Sequence, residues 1–87
     1  MGSKTYDGVQ FFVYVKDHGP SHVHGFYGEV EVIVDLLADG KVRQSDRWDA
    51  VMPPNGKRSD IRRILRMAAA NAAELNELWE KTHGTAS

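Results

Sequence analysis

Three of the chain's four histidines fall in one short run, Asp17-His18-Gly19-Pro20-Ser21-His22-Val23-His24. Imidazole is the side chain that most readily changes charge near neutral pH, so this run concentrates groups able to hold a metal or move a proton. On an extended strand His22 and His24 stand on one face about 7 Å apart at Cα, close enough for their rings to converge on one ion. His18 or Asp17, across the turn, offers a third ligand. Three protein ligands plus water is the arrangement of catalytic zinc sites, and imidazole also suits nickel or copper. The chain has no cysteine, so thiolate metal sites and disulfides are excluded.

The same residues admit a second chemistry that needs no cofactor. His22 and His24 can divide the work of RNA cleavage, one taking the 2′-hydroxyl proton and the other protonating the leaving 5′-oxygen. Lys16, or an arginine of the helix stripe described below, would stabilise the charge that develops on phosphorus. Tyr14 and Tyr27 would stack a base. The plainest alternative is that both histidines are half-buried strand residues bonded to backbone or carboxylate, with Asp17 capping its own turn.

These groups need elements to position them. From Val9 to Lys16 the sequence alternates Val9, Phe11, Val13 and Val15 against Gln10, Phe12, Tyr14 and Lys16, a strand pattern of period two. Gly19 and Pro20 break it. A second strand is predicted from His22 to Tyr27, then a hairpin pivoting at Gly28 into a strand from Glu29 to Asp35, with Val30, Val32 and Val34 facing the core. Asp39-Gly40 signals a further hairpin into a strand near Lys41 to Ser45. Arg47 to Lys57 reads as a loop over the sheet, and Met1-Gly2-Ser3 carries no weight. Ser59 is the expected N-cap of one long helix on which Ile61, Ile64, Leu65, Ala68, Ala72, Leu75 and Trp79 recur at helical spacing, ending at Gly84. The expected fold is α+β, an antiparallel meander of three to four strands packed against one C-terminal helix.

A chain of 87 residues with 41% apolar content supports one domain, residues 1–87. No secretory leader or long apolar run is evident, which predicts a cytoplasmic protein with no membrane association. Lys57, Arg58, Arg62, Arg63 and Arg66 crowd the start of the expected helix, while Glu74, Glu77 and Glu80 sit near its end, opposed to the helix dipole. Arg58, Arg62 and Arg66 form a cationic stripe suited to RNA phosphates or an acidic protein, although a solvated face is the simpler reading. A net charge of −1 argues against a dedicated nucleic-acid binder. His83 reads as a dipole-compatible residue at the helix end. Trp48 with Val51 and Met52 offers a homodimer contact through the loop.

The segment D-H-G-P-S-H-V-H, followed by F-Y-G-E-V-E-V-I-V-D-L, resembles the small prokaryotic family called domain of unknown function 4160. The closing Glu74-Leu-Asn-Glu-Leu-Trp-Glu-Lys81 with His83-Gly84 resembles that family's terminal helix. Ser21 stands where the family carries a second proline, and Arg47 to Lys57 matches nothing in it. The resemblance implies a compact αβ domain, acting with a small cognate protein partner in a toxin–antitoxin pair, and marks Asp17, His18, Pro20, His22, His24 and Trp79. Joined to the histidine chemistry, this gives a toxin-like component that cleaves RNA through His22, His24, His18 and Lys16. Its binding residues would be Asp17, Tyr14, Tyr27, Arg58, Arg62 and Arg66. The alternatives are a non-enzymatic interaction module and a metal-binding accessory domain with zinc on His18, His22 and His24.

Overall fold

A computed structural model describes residues 2–84. Six strands, β1 (Gly2–Tyr6), β2 (Val9–Val13), β3 (His22–Tyr27), β4 (Val30–Leu36), β5 (Val42–Gln44) and β6 (Val51–Met52), precede two helices, α1 (Arg58–Ala70) and α2 (Ala72–His83). The sheet is antiparallel throughout, in the order β1-β2-β3-β4-β5. The free edge of β4 is shared: β5 pairs with its Val34–Leu36 end, and β6 with Glu31 and Val32. The class is α+β as expected, but the sheet is larger than three or four strands and the helix is two.

Each correction has a local cause. β1 is joined to β2 by Asp7-Gly8, both at positive φ (51° and 84°), the backbone of a two-residue hairpin. β2, expected to run from Val9 to Lys16, ends at Val13, because the turn at Val15 and Lys16 folds the chain back before the expected end. The Arg47–Lys57 loop contributes β6, which takes up hydrogen-bonding capacity on β4 that would otherwise be unpaired. Trp48 does not pack over the sheet and is 89% exposed.

α1 begins at Arg58, one residue before the expected cap, with Lys57 in the cap position and no side-chain capping bond. Asn71 divides the helices. Its Nδ2 donates to Met67 O at 2.9 Å and its backbone N–H is shared between Met67 O and Ala68 O. That local competition with the regular ladder leaves Asn71 at φ −123°, outside helical geometry. The division also changes the charge reading: Glu74 now lies in the first turn of α2 and Lys81 and His83 in its last, all dipole-compatible, whereas α1 keeps its opposed arginines.

The core lies between one sheet face and the helices. Val9, Phe11, Val13, Val23, Val30, Val32, Val34 and Leu36 pack on Ile64, Ala68, Leu75 and Leu78. Gly25 permits this approach, since a Cβ there would lie 2.5 Å from Ile64 Cγ2 and 2.8 Å from Phe11 Cε1. With every other β3 residue committed to the core, His22 and His24 are placed on the opposite pleat.

Candidate metal centre

The β2–β3 connection closes on Asp17. The Asp17 N–H donates to Tyr14 O at 3.0 Å, and the Tyr14 N–H donates back to Asp17 Oδ2 at 3.3 Å. This reciprocal turn brings the carboxylate against the start of β3. His24 Nε2 lies 3.2 Å from Asp17 Oδ2 and His22 Nε2 lies 3.5 Å from it. One ligand atom from each of the three residues lies within 4.8 Å of the others. A tetrahedral ion with bonds of about 2.0–2.1 Å separates its ligands by about 3.3 Å, so both distances to Asp17 already match ligand edges.

The opposite ring nitrogens fix the tautomers. His22 Nδ1 lies 2.9 Å from the carbonyl oxygen of Pro20 and His24 Nδ1 lies 3.0 Å from Glu31 Oε2. Both partners only accept, so each Nδ1 carries the hydrogen and donates. In a neutral ring, each Nε2 then holds a lone pair. Both Nε2 atoms are buried and without a hydrogen-bond partner among the described residues. Two lone pairs gathered around a carboxylate oxygen repel one another, and a cation among them would turn that repulsion into attraction. Imidazole bonded through Nδ1 to carboxylate or carbonyl, with Nε2 facing the ion, is the usual outer shell of a histidine metal site.

Aromatic packing holds this arrangement rigid. The Tyr14 ring lies 4.9 Å from that of His24, and Trp79 of α2 lies 5.1 Å from His22 and stacks on His83 at 3.9 Å. His83 Nε2 reaches Asp17 O at 2.8 Å, tying the end of α2 to the loop that carries the carboxylate. Burial first, and then the nearby carboxylates of Glu31 and Asp17, raise the Tyr14 hydroxyl above its ordinary pKa.

The structure separates the predicted residues into groups. Asp17, His22 and His24 meet, with Tyr14 beside them. His18 is exposed and stands outside the triad, which corrects its choice as the third ligand: the Tyr14–Asp17 turn draws the aspartate inward instead. His18 instead lines a neighbouring cleft of about 250 Å³ with His22, Asp35, Arg43 and Arg47. Lys16 is exposed in the turn and joins no ion pair among the described residues. Tyr27, at the far end of β3, lies under Arg63 at 4.8 Å and shares a separate hollow with Arg62 and Arg66, while Arg58 is exposed at the start of α1. Glu31 and the tethering role of His83 were not anticipated. Glu31 was traceable in principle, because a two-residue hairpin at Gly28-Glu29 sets Phe26 opposite Glu31, leaving it diagonal to His24 on one face.

The domain of unknown function DUF4160 matches residues 8–80, a span that includes the whole triad and its outer shell. The chain belongs to the DUF4160 family. No curated protein matches it, and no solved structure does. Within this DUF4160 domain, no helix among the described residues is long and apolar enough to cross a membrane.

Proposed function

We propose that this DUF4160 domain is a metal-binding module in which Asp17 Oδ2, His22 Nε2 and His24 Nε2 hold one divalent transition ion, zinc fitting best. The observation that carries it is the pair of buried Nε2 atoms, each without a hydrogen-bond partner among the described residues and each within 3.5 Å of one carboxylate oxygen. Evolution of a packed interior does not ordinarily leave such atoms unsatisfied, because each costs about 1–3 kcal/mol. A metal-free acid–base pair is less well supported. Its histidines must offer nitrogen to a substrate hydroxyl, whereas both Nδ1 atoms are engaged and both Nε2 atoms are buried.

Three protein ligands leave a tetrahedral ion one position for water, and metal-bound water is a nucleophile at neutral pH. A cleft of about 250 Å³ opens beside His22, and its Arg43 and Arg47, bonded here to Asp35 and Asp49, could exchange those carboxylates for phosphate. That leaves room for a second reading, a hydrolytic, toxin-like role on RNA with a small protein partner. The two readings share the metal.

Equilibrium dialysis of the untagged chain against zinc tests the first. One ion per chain is expected, with Tm raised by roughly 10 °C or more at zinc a hundredfold above Kd. Binding should vanish in a folded His22→Ala, His24→Ala variant; binding unchanged in that variant, or none in wild type, overturns the site. Induced expression, followed by growth and total RNA integrity, tests the second. Arrest with RNA decay that the double variant abolishes supports it, and no arrest from well-expressed wild type removes it.

A further inference from the structure

Helices α1 and α2 bury one face and leave the opposite one bare. Ile64, Ala68, Ala72, Leu75 and Leu78 point into the core. On the other side Arg62 and Arg66, then Ala69 and Ala73, then Glu77 and Glu80 are exposed. At 3.6 residues per turn these six positions fall along one stripe that keeps its phase through Asn71. From end to end the stripe reads basic, small, acidic.

None of its four charged residues joins an ion pair among the described residues. A hollow of about 270 Å³ lies beside Arg62 and Arg66, and one of about 380 Å³ beside Glu77 and Glu80. We infer that this stripe is a self-association surface whose occupant is the same stripe of a second copy, running antiparallel about a two-fold axis beside Asn71. In that register Arg62 faces Glu80 of the partner subunit, Arg66 faces Glu77 of the partner subunit, and Ala69 meets Ala73 of the partner subunit.

A two-fold interface repeats every contact, so the four charged residues of each copy form four cross-pairs. The alanines lie at the axis, where small side chains let helix backbones come close, and the long charged side chains reach across from the flanks. A parallel arrangement would set arginine against arginine. A nucleic acid or an acidic segment would use only the basic third and be repelled by the glutamates. The second copy alone matches all three parts, and it brings counter-charge to arginines and glutamates that have none among the described residues. The surface is independent of the metal reading.

Sedimentation velocity of the untagged full chain over a concentration series tests the proposal. Wild type is expected to form a dimer that salt weakens. Arg62→Glu with Arg66→Glu, and separately Glu77→Arg with Glu80→Arg, should each weaken association on the order of a hundredfold. Mixing the two variants should restore a mixed dimer, because each reversal then meets its complement. A second readout does not disturb charge: in this cysteine-free chain, an equimolar mixture of Ala69→Cys and Ala73→Cys should oxidise to the mixed covalent pair. Wild type that stays monomeric at about 0.1 mM overturns the proposal. So does a dimer that both reversals leave intact, as one held through Trp48 would be, or a cysteine mixture that yields no mixed pair.

Discussion

Glu31 holds the ring of His24 in place from the neighbouring strand, its Oε2 lying 3.0 Å from Nδ1 while the far nitrogen of that ring sits 3.2 Å from Asp17. One carboxylate therefore sets the tautomer, and the other would share the proposed ion. Removing the first should leave the ligands present but poorly aimed. Glu31→Gln is expected to keep the fold and to weaken zinc binding by about 10–100-fold, read by competition with a chelating dye. Affinity equal to wild type would mean that His24 needs no such support.

Asp17 and His18 are adjacent in sequence, and only the first faces the histidines. Asp17→Asn keeps size and the Tyr14 turn while replacing an anionic ligand with a neutral one, so zinc affinity should fall by about tenfold or more. His18→Ala should leave affinity within about twofold, because the ring is exposed and outside the triad. Calorimetric titration separates the two, and the reverse ranking would restore His18 as the ligand.

The sheet that carries the triad depends on the missing side chain at position 25. Gly25→Ala would drive a Cβ to 2.5 Å from Ile64 Cγ2, so β3 or α1 must shift. The expected cost is about 1–3 kcal/mol, measured by urea denaturation. If β3 yields, His22 and His24 move with it, and zinc affinity falls alongside stability. Unchanged stability would show that the β3–α1 contact has slack.

How far the sequence could take this depends on which forces leave a periodic trace. The valines of β2 and β4 alternate because one face is buried, so the central strands and the shared face of His22 and His24 were readable. β1 was not, because Gly2–Tyr6 is mostly exposed and has no apolar alternation, although Asp7-Gly8 is the same turn signal recognised at Asp39-Gly40. The break at Asn71 leaves the apolar repeat in phase on either side, so periodicity alone reads one helix. The histidine run located the site; choosing Asp17 over His18 and finding Glu31 required the turn hydrogen bonds and the β3–β4 register.

Tyr6 ties β1 to α2 through its hydroxyl, which donates to Glu74 Oε1. Burial, then that hydrogen bond and the charge of Glu74, push the phenol from 10.0 up to about 12. Between those values the unfolded chain gives up a proton that the folded chain keeps, so stability falls as pH rises through this window. Below pH 10 the contribution is fully present. Tyr6→Phe should therefore lose about 1 kcal/mol at neutral pH and decline less steeply between pH 10 and 12. A residual slope remains from Tyr14, whose hydroxyl is raised as well. Denaturation midpoints of both proteins across that range provide the check, and parallel curves would mean that the Tyr6 hydroxyl is free in solution.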